Sequence, residues 1–196
     1  WNSLKNISSK AFGDSGWYVM RNNKDYCIIS CGPNGQNGRG GHAHNDKLSF
    51  ELFIDGEDII VDPGTYVYTL LVNGRNKFKS TMYHNTVIID NNEQNIYYFG
   101  KNNLFQLEDY TKSRCPKWQE NEEEIIFEGD HRGYKRLKIP IIHRRKIYFN
   151  KIYKNWSIKD FIICRGKHKA QWNCYMTKNK ELVQIKSNGL LWKRIP

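Results

Sequence analysis

The feature that most constrains this chain is its punctuation. Short runs of β-branched and aromatic residues recur from end to end, and each is cut off by Gly, Pro, Asn or Asp. Strand-like runs fall at 17–20, 26–31, 47–54, 58–62, 86–90, 124–128, 144–149, 156–164 and 190–193. Between them stand Arg21-Asn22-Asn23-Lys24, Asp55-Gly56, Pro63-Gly64, Asn91-Asn92 and Asn188-Gly189, residues that adopt turn conformations at little strain. No long stretch keeps the i, i+3, i+4, i+7 apolar spacing of an amphipathic helix. The pattern predicts an all-β fold, an antiparallel β-sandwich of many short strands, forming one domain over residues 1–196. Residues 112–124 are polar and mixed in charge, and read as a surface loop.

One hairpin can be taken to the level of register. Leu48, Phe50, Leu52 and Ile54 alternate with Lys47, Ser49 and Glu51, the period of a strand with one buried face. Asp55-Gly56 supplies the turn. With Gly56 as a left-handed bulge, Phe53 faces Glu57, and Asp62 shares a face with His44 if the strand stays extended back to His42. A two-residue turn would pair Ile54 with Glu57 and reverse that parity.

Composition narrows the partners. Hydrophobic residues are 39% and charged residues 26%, ordinary for a globular protein. The formal net charge is +11, which attracts polyanions of any kind. No helix-turn-helix, zinc-finger or other nucleic-acid signature accompanies the charge, so nucleic acid is not an expected partner. No apolar run is long enough for a membrane span. Five cysteines form neither a metal pattern nor a regular disulfide framework, which leans mildly towards a reducing compartment. The chain opens at Trp1 without Met, so it is expected to be a piece of something longer.

The residues with chemistry cluster in the first half. His42 and His44 are one residue apart, behind the glycine-rich run Gly38-Arg39-Gly40-Gly41. In extended chain, i and i+2 point the same way. Asp62 closes a strand, and His84 opens another. Two imidazoles and a carboxylate at three strand ends suit zinc, which takes nitrogen and oxygen donors and can keep a fourth position open. The bland alternatives stand beside this: Asp62-Pro63-Gly64 is also turn chemistry, and His84-Asn85 also a polar strand start. His131 reads as a turn residue, His143 as a solvated basic strand end, and His168 as loop.

These residues, taken in order, carry a resemblance. The run Gly41-His42-Ala43-His44-Asn45-Asp46-Lys47-Leu48-Ser49-Phe50, then Val61-Asp62-Pro63-Gly64-Thr65-Tyr66, then Ser80-Thr81 and His84-Asn85-Thr86-Val87, resembles the heparinase II/III-like polysaccharide lyases. So do His131-Arg132-Gly133-Tyr134, Arg144-Arg145 and Trp156-Ser157-Ile158-Lys159-Asp160. The likeness is to that family's C-terminal β-rich half. Its N-terminal half, an α/α toroid across the active-site cleft, has no counterpart in these 196 residues.

The resemblance implies a chemistry. Family members cleave uronate-containing anionic polysaccharides, such as heparan sulfate or alginate, by β-elimination. The C5 proton of a uronate is weakly acidic because the adjacent carboxylate is already negative. That charge must be neutralised, a base must take the proton, and an acid must protonate the departing oxygen. By this likeness His42 is the active-site histidine, and His44, Asp62 and His84 bind a largely structural zinc. Tyr66, Tyr68, Arg75 and Lys79 are candidate sugar contacts. Lys79 stands where many relatives carry arginine, which loses the bidentate grip on a carboxylate. The family's principal catalytic tyrosine and its partner come from the toroid, so this chain alone is not expected to complete the reaction. Family habit favours a bacterial periplasmic or secreted location.

Two other readings compete. A non-catalytic glycan-binding or assembly module of a capsule or exopolysaccharide system fits the charge and aromatics equally well. A cupin-like metal enzyme also uses two closely spaced histidines, but Asp46 is too near and Glu51 too far to supply its usual carboxylate.

Overall fold

The strands alternate as the sequence requires, and their inward residues meet between two sheets. A computed structural model describes residues 7–98, 100 and 103–177, and the backbone of 184–186 and 189–191. The first sheet has the order β1-β2-β3-β4-β5, built from Lys10–Phe12, Trp17–Asn22, Asp25–Ser30, Phe50–Ile54 and Glu57–Ile60. The second has the order β12-β13-β10-β9-β8-β7, from Gln184–Lys186, Gly189–Leu191, Asn155–Ile163, Ile142–Asn150, Glu124–His131 and Arg114–Glu120. A small third sheet pairs β11 (Ala170–Trp172) with β6 (Val87–Ile89). Every pairing is antiparallel, and the expected sandwich stands. Among the described residues one α-helix, α1 (Val72–Lys79), interrupts it.

The core lies between the two large sheets. Met20, Cys27, Ile29, Leu52 and Ile60 from one face pack with Ile125, Phe127, Ile147, Phe149 and Ile158 from the other. Each such side chain, fully buried, contributes roughly 1.5–3 kcal/mol. A smaller cluster of Val87, Ile89, Tyr134 and Ile141 sits under the third sheet.

Residues 112–124 are not a loop: Arg114–Glu120 is the edge strand β7. An edge strand can be polar and can hold Pro116, because one row of its backbone groups needs no partner strand. The hairpin turn has two residues, with Asp55 and Gly56 both at positive φ, so Ile54 faces Glu57 and not Phe53. A bulge then pairs Leu52 with Ile60 after Phe53 with Asp58, which restores the even-to-even parity. Lastly, His131 and His143 are neither turn nor solvated. They end β8 and enter β9, face each other across the ladder, and are buried. The residues expected as a last strand, 190–193, fall partly in β13; 192 and 193 lie outside the described residues.

Candidate active site

The histidines are carried by loops, which amide and carboxylate side chains hold in place. The strand does not run back to His42, because the chain turns at Gly40 and again at Leu48, both at positive φ. Asn45 anchors this loop: its amide donates to Glu93 Oε2 (2.8 Å) and Asn95 O, and its oxygen accepts from Asn95 N. Gln94 brackets Lys47 through both its backbone groups. Glu93 then reaches the second loop, accepting from Ser80 Oγ, Thr81 N and Thr81 Oγ1 at 2.5–2.7 Å. One carboxylate thereby joins the loop of His42 and His44 to the turn that precedes His84. On the other side Asn85 donates to Phe50 O and Val61 O, and Arg145 Nη1 donates to Leu48 O and Asn85 O, each at 2.6 Å. Reading the sequence assigned no such role to Glu93, Gln94 or Arg145.

The structure brings His44, Asp62 and His84 together. The two imidazole rings lie 5.1 Å apart. His84 Nδ1 meets Asp62 Oδ2 at 2.7 Å, while Asp62 Oδ1 accepts from Gly64 N. Burial would lower the pKa of His84, but the Asp62 carboxylate more than reverses this and raises it. Its Nε2 is buried without a hydrogen-bond partner. His44 is pushed down to about 4, by burial first and then by His84, with Arg75 adding. It is therefore neutral at physiological pH. Its Nε2 lies 2.5 Å from Arg75 Nη1, and since guanidinium can only donate, that nitrogen accepts.

These are the donor types zinc takes, and a carboxylate that fixes one ring nitrogen of a histidine leaves the other free for a metal. Yet among the described residues no group of three or more His, Cys, Asp or Glu side chains is arranged so that it could hold a metal ion. Arg75 occupies the lone pair of His44, and Asp62 is engaged with His84.

His42, by contrast, is exposed. Its ring lies 5.9 Å from Tyr68 and 5.8 Å from Phe105, and those two rings stack on each other. The Arg75 guanidinium lies 5.7 Å from both. Tyr68 is 54% exposed, and Tyr66, 64% exposed, stacks on Phe78 of α1. A cavity of about 340 Å³ opens beside His42 and His44, walled by Trp17, Gly32, Asn34, Asp46 and Lys47 among others. A histidine and flat aromatic faces thus share one exposed surface, as a pyranose ring requires, whereas Arg75, an expected sugar contact, is 1% exposed and donates to His44 and Thr65. Lys79 is a second expected sugar contact that the structure places away from the surface. It is buried, and its ammonium faces the carbonyls of Asn103, Leu104 and Gln106. Burial, then Arg75, brings its pKa down to about 8.

The chain is similar to known proteins in sequence and in fold. The heparin-sulfate lyase of Bacteroides stercoris is 30% identical over 154 residues, covering 75% of this chain and 20% of that protein. The heparin-sulfate lyase of Pedobacter heparinus is 28% identical over 156 residues, covering 76% and 20%. The chain thus spans about a fifth of the length of the curated relatives it matches. Among solved structures, a heparinase III gene product superposes with a TM-score of 0.70 at 24% identity, over 90% of this chain and 25% of that one. A heparan sulfate lyase from Pedobacter heparinus gives 0.68 at 23%, over 90% and 26%. At those identities the structures speak for the fold. The family described as heparinase II/III-like, C-terminal, matches residues 5–194, and the chain belongs to that family.

Proposed function

We propose that this chain is the cleft-forming β domain of a polysaccharide lyase that cleaves uronate-containing anionic glycans by β-elimination. The observation that carries the reading is the division of labour between the paired histidines. His44 is engaged by Arg75 and lies beside His84, whereas His42 is exposed against Tyr68 and Phe105, and both histidines border the cavity. In this reading His42 neutralises the substrate carboxylate or carries the proton, and the aromatic face holds the pyranose ring. Arg75, buried against both rings, would act on the developing anion through its field and not by contact. An N-terminal toroid supplies the opposite wall and the remaining acid–base groups. The relatives are far longer than this chain, and Tyr66, Leu70 and Leu71 present an exposed apolar rim that suits a covering domain.

Zinc belongs to the same proposal. His44, Asp62 and His84 would hold it, and it would order the loops beside the cleft. The unpartnered Nε2 of His84 and the neutral His44 support this; Arg75 must leave His44, and Asp62 must leave His84 Nδ1, for His44 and Asp62 to ligate. The test of the whole reading is to incubate the parent protein with heparan sulfate, alginate and related polymers. Ultraviolet absorbance from unsaturated uronate ends is expected on at least one. Silence on every uronic polymer, with binding retained, would favour the glycan-assembly module.

A further inference from the structure

The cleft leaves much of the positive charge unexplained. Arg165, Lys167 and Lys169 lie exposed in the loop between β10 and β11. Lys135 and Lys138 are exposed in the segment after β8. Among the described residues, none of these five makes an ion pair. The two segments adjoin: a Cβ added to Gly166 would lie 2.8 Å from Ile139 Cδ1. Leu137, Cys164 and Ala170 also pack on one small apolar cluster. The loop is ordered as well, because Asp90 accepts from His168 Nδ1 at 2.6 Å and from the Lys169 amide at 2.8 Å. That acid fixes the backbone and leaves the Lys169 ammonium unpaired. From this loop β11 leads back towards the site, with Trp172 (55% exposed) opposite Val87. Asp90 is six residues beyond His84, a span of at most about 20 Å in extended chain.

We propose that the 164–169 loop, with Lys135 and Lys138 beside it, is a second, non-catalytic binding site for an anionic polysaccharide. A cationic loop held in shape by its own hydrogen bonds loses little entropy on binding. A polymer long enough to touch both this loop and the cleft gains from the effective concentration of the second contact; a short oligosaccharide cannot. The inference rests on charge and placement, independently of the elimination chemistry.

The test compares Arg165→Ala/Lys167→Ala/Lys169→Ala with Lys24→Ala/Lys112→Ala/Lys154→Ala, three exposed cations elsewhere, so both triples lose the same charge. Binding to full-length heparin, a heparin tetrasaccharide and duplex DNA is measured against salt. The loop variant is expected to bind long heparin roughly ten-fold more weakly, with a shallower salt dependence. Its tetrasaccharide affinity and melting temperature should match wild type, and Arg165→Lys/Lys167→Arg/Lys169→Arg should restore binding. Equal weakening in both triples would overturn the proposal in favour of net charge alone. Equally tight, loop-dependent binding of DNA would overturn it in favour of a general polyanion surface. Absence of lyase activity in the parent would leave this result untouched, and failure of the loop would leave that activity untouched.

Discussion

Replacing Asp160 by Asn tests how the second sheet braces the site. Asp160 is buried on β10, with 6% of its side chain exposed. It accepts from His143 Nε2 at 2.7 Å, from Arg145 Nε and Nη2 at 2.8 Å each, and from Trp172 Nε1 at 3.1 Å. The tautomers upstream follow from one another. Gly133 N donates to His131 Nδ1, so His131 donates from Nε2 to His143 Nδ1, and His143 donates from Nε2 to Asp160. Asparagine would turn one accepting oxygen into a donor facing donors, and would leave the buried Arg145 cation without an anion. Removing one partner of such a pair costs about 3–5 kcal/mol. For a chain of this size that is a fall in melting temperature of about 6–20 °C.

The same variant should alter the acid limb of stability. Burial would raise the Asp160 pKa, but Arg145 and then His143 hold it far below the usual carboxylate range. A depressed acid contributes stability fully above its unfolded pKa of about 3.9 and loses it as pH falls towards the folded value. Denaturant titrations of wild type and Asp160→Asn at several pH values measure both effects. A loss under about 1 kcal/mol, or an unchanged acid limb, would refute the reasoning.

Further expectations follow from the same contacts. Burial lowers the pKa of both His131 and His143; unfolded chains protonate below about 6.5, so the stabilisation is complete above that pH and declines beneath it, and urea midpoints that stay level from pH 7.5 to 5.5 would contradict this. Gly32→Ala would set a Cβ 2.2 Å from Gly16 Cα, and the forced shift should destabilise by about 1–3 kcal/mol, read from the denaturation midpoint. Zinc added to the chelator-treated chain should raise its melting temperature, and His84→Ala should abolish the rise; a rise that persists in the variant places the metal elsewhere.

The histidine pair and its partners were legible because their types are rare at such spacings. Their route to one another was not: the hairpin reading assumed an extended strand from His42, and the left-handed Leu48 breaks it. The buried charges of β9 were legible in principle. Ile147 and Phe149 point inward, so period two sends Arg145 and His143 inward as well. Polarity argued for solvent, and the partners that make burial tolerable, Asp160 and two carbonyls, lie far off in sequence. The edge strand β7 and the eight-residue α1 carry little apolar periodicity of their own, so nothing local marks them. Glu93 shows the same limit: its role exists only because two distant loops meet at one carboxylate.

The central claim concerns His42, and the parent protein carrying His42→Ala addresses it most directly. Initial rates of unsaturated uronate formation at saturating polymer should fall at least about 100-fold, the scale of a lost proton carrier or charge stabiliser. Polymer affinity and melting temperature should stay near wild type, since the ring is exposed. Turnover that persists at the wild-type rate would contradict the account.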